Sequence, residues 1–194
     1  MAIEQYSQRT RARLIATAGV IVMLLSVGAL LLPFADRVPG PNVVGSLLLA
    51  AGLVETLAGT QRAESRPFAM LAGVVTALAG LMLVLNPVTR VFPTFYLVVA
   101  WLLLRGLVLV VAGTRSTGSV RAWTWISAAT DLGLGLFLLA GISIATLIIS
   151  LFGPTPEVVA SFAWILALSF VINGALLLET ASCLRPERTR TDAS

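Results

Sequence analysis

Six stretches of the chain are almost entirely apolar, and short polar segments separate them. The clearest two are residues 68–85, which carry no charge, and residues 94–113, whose one charge is Arg105. A stretch of this length crosses a hydrocarbon layer of about 30 Å as a helix that rises about 1.5 Å per residue. A turn that contains Asn86 and Pro87 joins the two stretches. The pattern therefore predicts two membrane-spanning helices that form a hairpin.

The same hairpin occurs a second time, because a shift of 54 residues places the first quarter of the chain on it without a gap. Matched leucines would carry little weight in so apolar a chain, but matched Gly and Pro residues restrict backbone geometry and close packing. The matched pairs include Pro33 with Pro87, Pro39 with Pro93, Gly52 with Gly106, and Gly59 with Gly113. We interpret the match as an internal repeat.

A third unit follows, since Asn173-Gly174 falls where the second unit has Arg105-Gly106. The chain is thus predicted to be an all-α membrane protein with six transmembrane helices, arranged as three parallel hairpin repeats. Parallel repeats place a pseudo-symmetry axis along the membrane normal. The predicted membrane domain covers residues 14–182, with polar segments before and after it, and its repeats lie at about 14–60, 68–114 and 122–182.

The third unit differs from the others by an insertion at residues 142–156. The apolar run of its first helix continues to Phe152, which is longer than the bilayer requires. We therefore expect a break at Gly141 or at Gly153-Pro154. The inserted residues either extend the helix beyond the membrane or form a re-entrant segment.

Composition supports the membrane assignment, because 58% of the residues are hydrophobic and 11% are charged, against about 25% charged in soluble domains. The lipid bilayer is therefore the expected partner. All basic residues are arginines that mostly flank the apolar runs, and no nucleic-acid motif occurs, so no nucleic-acid partner is expected. The single cysteine, Cys183, excludes an internal disulfide framework and a multi-cysteine metal site.

The distribution of arginine predicts the orientation. The two polar ends and the even connectors hold ten arginines, whereas the odd loops hold two, Arg37 and Arg90. The positive-inside rule then places both termini in the cytoplasm. Residues 1–13 and 183–194 are accordingly expected to be cytoplasmic.

Four segments rich in Gly, Leu and Pro support a resemblance to a known family. They are LAGVVTALAGLMLVLNP, NVVGSLLLAAGLVETLAGT, WLLLRGLVLVVAG and TDLGLGLFLLAG. With three hairpins in register, the chain resembles the HdeD family of bacterial acid-resistance membrane proteins over about residues 14–182. The resemblance implies a six-helix plasma-membrane protein with a role in acid or general stress. It implies no enzymatic activity and supplies no catalytic residues.

Four ionisable residues lie within apolar runs, namely Glu55, Arg105, Asp131 and Glu179. A charge at mid-membrane costs at least about 2.5–3.5 kcal/mol, so these side chains should face the bundle interior and find partners. We expect a charge layer that holds the hairpins together, with Arg105 pairing with Asp131, Glu55 or both. The alternative is a small transporter or channel in which Glu55, Arg105 and Asp131 form a polar or proton pathway.

Small residues recur at helical spacing and predict faces where helix backbones approach closely. The alternative is a dimerisation face, which would make a second copy or another membrane protein a partner. Trp101, one turn before Arg105, is placed either for a cation–π contact or for ordinary packing. The small residues in question are Gly52, Thr56, Ala72, Thr76, Gly80, Gly106, Ala129 and Gly133.

The sequence lacks several residues and motifs that are common in enzymes. It has no histidine, no G-x-S-x-G elbow, no P-loop and no dinucleotide fingerprint, so we expect no catalytic, cofactor or metal site. An intramembrane enzyme would have to work with Glu55 and Asp131 and would lack a nucleophile–base pair. Cys183 is expected to be an inert thiol.

Overall fold

The computed structural model describes residues 2–31, 41–62, 65–85, 94–140 and 157–184. Each of the six helices in these ranges contains a segment long and apolar enough to cross a membrane. The predicted fold, an all-α protein with six membrane-spanning helices, is confirmed. The helices are α1 Ala2–Leu31, α2 Pro41–Thr60, α3 Arg66–Val84, α4 Thr94–Thr114, α5 Gly118–Leu139 and α6 Glu157–Cys183.

The structure defines the start of α1 and the end of α5 more closely than the sequence does. Helix α1 begins at Ala2, so the polar segment before Leu14 is largely helical. That segment contains neither Pro nor Gly, and nothing in it interrupts the helix. Helix α5 ends at Leu139, directly before the expected break near Gly141. The insertion at 142–156, the turns at 35–40 and 86–93 and the tail at 185–194 lie outside the described residues.

The connectors α2–α3 and α4–α5 meet at one end of the bundle. Ser65 in the first connector and Ser116 in the second form a hydrogen bond of 3.2 Å. We call this end the arginine end, because the residues there include Arg62, Arg66, Arg115 and Arg121.

The six helices form a closed ring in which each contacts the next and α6 returns to α1. The most extensive contacts are α2 with α3, α4 with α5, and α6 with α1. These pairs join one hairpin to the next, whereas the contacts within each hairpin are smaller. The same inter-hairpin contact thus occurs three times around the ring, as expected for parallel hairpin repeats.

The glycine that repeats in all three units lies at each of these inter-hairpin contacts. A Cβ atom added to Gly52 would lie 2.2 Å from the Ala77 backbone nitrogen in α3. One added to Gly106 would lie 2.7 Å from the Leu132 side chain in α5, and one added to Gly174 would lie 2.6 Å from the Met23 side chain in α1. The repeated glycine therefore lets neighbouring hairpins approach closely.

Close packing is tightest between α2 and α3, where the predicted small residues face one another. Cβ atoms added to Gly73 and Gly80 would lie 2.5 Å and 2.3 Å from backbone nitrogens of α2. The Thr56 and Thr76 hydroxyls donate to the carbonyls one turn earlier, at Gly52 and Ala72. Those hydroxyls are therefore satisfied within their own helices.

Ala129 and Gly133, which were predicted to pack against a neighbouring helix, do not lie at a helix contact in the described part of the chain. Ala129 is exposed, and a Cβ atom added to Gly133 would meet no atom within 4 Å. The face of α5 that packs inward instead contains Ala128 and Gly135. The correction follows from the position of Asp131, because its burial fixes which side of α5 points into the bundle.

The outer surface of the ring is apolar. Large side chains there are more than half exposed in the isolated chain, for example Leu24, Leu57 and Leu107. Such a surface fits the hydrocarbon of a bilayer, while polar side chains are buried at the centre.

Candidate functional site: a buried charge cluster

Arg105 of α4 lies at the centre of the bundle with 1% of its surface exposed. Its Nη2 donates a hydrogen bond of 3.0 Å to Oε1 of Glu55 in α2. Its Nη1 donates to Oδ2 of Asp131 in α5. One guanidinium therefore bridges two carboxylates on two other helices.

Ser169 of α6 completes the arrangement. Its hydroxyl donates a hydrogen bond of 2.8 Å to Oδ1 of Asp131 and accepts one of 3.3 Å from Nη1 of Arg105. The four residues Glu55, Arg105, Asp131 and Ser169 form what we call the charge cluster. It draws on four helices and on all three hairpins.

The charged side chains of the cluster are buried, so their hydrogen bonds must offset the cost of removing them from water. Glu55 is 6% exposed and Asp131 is 1% exposed. A buried ion keeps its large desolvation penalty unless a partner of opposite charge and further hydrogen bonds offset it. Each carboxylate here has the same guanidinium as its partner, so the loss of Arg105 would leave both unpaired at once.

The repeat explains why the cluster lies on the bundle axis. Arg105 precedes the repeated Gly106, and the equivalent residues are Ala51 in α2 and Asn173 in α6. All three are 1% exposed. The fold thus directs the residue before this glycine inward in every unit, and it is an arginine in one unit only.

Glu179 of α6 is separate from the cluster. It is half-buried, and among the described residues it takes part in no ion pair. Its position near the end of α6 explains the difference, because the cluster forms around Ser169, nearly three turns earlier in the same helix.

Trp101 makes a different contact from the cation–π interaction considered above. Its indole Nε1 donates a hydrogen bond of 3.1 Å to Oγ1 of Thr76, which links α4 to α3. A cation–π contact does occur at the arginine end, where the Arg115 guanidinium carbon lies 5.2 Å from the centre of the Phe68 ring.

Two residues near the cluster were not identified from the sequence. Ser169 carries no charge, and a serine in an apolar helix is an ordinary packing residue. Arg62 was counted only among the connector arginines, yet it is 8% exposed. Its spacing of seven from Glu55 corresponds to about two helical turns, and this signal could have indicated that Arg62 lies on the same side of α2 as Glu55, although α2 ends at Thr60.

The surroundings of Arg62 are unusual for an arginine. Burial lowers the pKa of its guanidinium below the ordinary value, while the charge of Glu55 acts in the opposite direction and that of Arg105 adds to the lowering. In the described part of the chain both ion pairs belong to Arg105, and Nε of Arg62 has no hydrogen-bond partner. Arg62 is therefore a buried cation that no carboxylate of the described residues contacts.

In the ranges that the structure describes, no group of three or more His, Cys, Asp or Glu residues is arranged to hold a metal ion. The four residues of the charge cluster pair with one another, which links α2, α4, α5 and α6 through charged and polar side chains.

Comparison with protein families gives a match to part of the chain. A family described as "Short repeat of unknown function (DUF308)" matches residues 71–140, which extend from α3 through α5. No curated protein matches the chain. No solved structure matches it either. The matched range contains Arg105 and Asp131, so the chain carries a segment similar to this short-repeat family around two members of the charge cluster.

Proposed function

We propose that this chain is an integral plasma-membrane protein of the HdeD type that acts without enzymatic chemistry in acid or general stress resistance. The matched short-repeat family is the one to which HdeD-type proteins belong. Six apolar helices with an apolar outer surface suit a protein that resides in the bilayer. In this proposal both termini and the arginine end face the cytoplasm, following the arginine distribution.

The observation that carries the proposal is the bridge that Arg105 makes between Glu55 and Asp131. Every hairpin contributes to it, so the bridge holds the ring together at its centre. A protein that stabilises the membrane or assists another protein under stress needs a bundle that stays assembled. The buried charge cluster serves that need without a substrate.

A deletion strain of the source organism tests the stress role. We expect its survival under acid or another envelope stress to fall, and expression of the intact chain to restore it. Expression of Arg105→Leu should restore survival poorly, whereas Arg66→Leu, at an exposed arginine of the same end, should restore it fully. Equal survival of deletion and parent strains under every stress would refute the proposed role.

The competing function is a small transporter or channel that uses Glu55, Arg105 and Asp131. Proteoliposomes with the purified protein separate the two functions when proton and ion flux are compared for the intact chain and Arg105→Leu. We expect no specific flux from either. A specific flux in the intact chain that Arg105→Leu abolishes would favour the transporter.

A further inference from the structure

A pocket of about 310 Å³ opens at the arginine end between α5 and α6. Its volume lies at the lower end of the range for small-molecule sites. The start of α5 forms one wall with Gly118, Ser119 and Val120, and the end of α6 forms another with Thr180 and Cys183. Arg62, which follows α2, also lines the pocket.

Arg62 gives this pocket its charge. More than nine-tenths of the residue is buried, and its Nε has no hydrogen-bond partner in the part of the chain that the structure describes. Among the described residues its guanidinium takes part in no ion pair. A buried guanidinium without a contacting carboxylate presents donors in a fork that matches the oxygens of a phosphate group.

The start of α5 is a second source of positive charge beside the pocket. Helix α5 has 22 residues, and its first turn contains no acidic side chain. The first N–H groups of a helix have no acceptor within the helix, and the helix dipole makes this end partly positive. Gly118 has a φ of 58°, and as a glycine it adds no side chain to this first turn.

We propose that this pocket binds a phosphate group, with Arg62 and the first turn of α5 as its two sources of positive charge. The phosphate belongs either to the headgroup of an anionic lipid or to a soluble phosphate. The pocket lies beside Gly118, the first residue of the apolar segment of α5 that is long enough to span a membrane, and lipid phosphates lie just outside the hydrocarbon that such a segment crosses. The inference does not depend on the proposed stress role.

Two substitutions remove the site in different ways. Arg62→Gln keeps a polar side chain of similar length but removes the charge. Ser119→Asp places a carboxylate at the start of α5, where it favours the helix and repels a bound anion. Because Ser119 is exposed, this second variant should fold even if Arg62→Gln does not. Arg66→Gln is the matched control, since it removes an exposed arginine at the same end.

The measurement has two arms, both with the full chain. In the first arm, the protein in nanodiscs of phosphatidylcholine is titrated with inorganic phosphate, and binding is followed calorimetrically. In the second arm, the protein is released from phosphatidylglycerol nanodiscs, and retained lipid is measured by native mass spectrometry. A soluble ligand predicts binding in the first arm, whereas a lipid ligand predicts retention in the second.

We expect Arg62→Gln and Ser119→Asp to weaken binding about tenfold or more in whichever arm is positive, as the loss of a charged hydrogen bond implies. Arg66→Gln should change it less than about twofold, because an exposed charge contributes little. Absence of binding in both arms would overturn the proposal. Equal losses in Ser119→Asp and Arg66→Gln would also overturn it, because the bound anion would then respond only to the net charge of this end.

Discussion

Nη2 of Arg105 in α4 lies 3.0 Å from Oε1 of Glu55 in α2 at the centre of the bundle, and neither side chain is more than 7% exposed. They belong to different hairpins, and Asp131 of the third hairpin contacts the same guanidinium. The fold therefore encloses one arginine whose two partners come from the other two repeats. We expect this geometry to make the stability of each hairpin depend on the other two.

The glycines at the inter-hairpin contacts should be intolerant of substitution. Gly52→Ala places a Cβ atom against the backbone of α3, so the two helices must move apart. We expect a loss of about 2 kcal/mol or more in the free energy of unfolding. Gly133→Ala is the matched control, since its Cβ atom meets open space, and it should stay within about 0.5 kcal/mol of the parent. Thermal unfolding in detergent measures both, and equal effects would contradict the packing account.

The Ser169 hydroxyl should contribute less than the charged residues beside it. Ser169→Ala removes the hydrogen bond to Asp131 and the longer one from Arg105, but it leaves the ion pair between Asp131 and Arg105 in place. We expect the free energy of unfolding to fall by about 1–2 kcal/mol. Ser46→Ala, at an exposed serine that bonds a carbonyl of its own helix, should have a smaller effect. A loss at Ser169 no larger than at Ser46 would show that the hydroxyl does not support the cluster.

The hydrogen bond between Trp101 and Thr76 should stabilise the contact between α3 and α4. Thr76→Val keeps the side-chain shape but leaves the buried indole N–H without its acceptor. The expected cost is about 1–3 kcal/mol. Thr130→Val is the control, because the Thr130 hydroxyl bonds a carbonyl of its own helix. A double variant, Thr76→Val with Trp101→Phe, should lose less than the sum of the single changes.

The topology can be tested with reporter fusions placed after Thr60, Thr114 and Ser194. The arginine distribution predicts a cytoplasmic signal at all three positions. A fusion after residue 87, between α3 and α4 in the chain, serves as the control and should report the opposite side. A periplasmic signal at Ser194 would mean that the chain crosses the membrane an odd number of times, with residues 142–156 as the first place to search for the extra or missing crossing.

Much of the fold could be predicted from the sequence, because each helix is set by a local apolar run and the repeat by Gly and Pro positions. The packing of α2 against α3 could not be predicted from the sequence with the same ease. Matched glycines indicate close approach, but they do not say which neighbour is approached. The structure shows that Gly52 contacts α3 of the next hairpin rather than the other helix of its own hairpin.

The charged members of the cluster could also be predicted, since charges in apolar runs must be buried and partnered. Ser169 and Arg62 could not be assigned with the same rule. Serine carries too small a penalty in a membrane helix to require a partner, and an arginine after a helix end is normally at the surface. The stripe of Ala129 and Gly133 was wrong as an intramolecular packing face, because small residues also occur on faces that point outward.

The central claim is that Arg105 holds the three hairpins together through its two carboxylate partners. The most direct test is the free energy of unfolding of Arg105→Leu beside the triple variant Glu55→Leu, Arg105→Leu, Asp131→Leu, with Arg66→Leu as the exposed control. We expect Arg105→Leu to lose about 3–5 kcal/mol, because two buried carboxylates lose their partner, and the triple variant to recover more than half of that loss. A triple variant no more stable than Arg105→Leu, or an Arg105→Leu variant as stable as Arg66→Leu, would contradict the account.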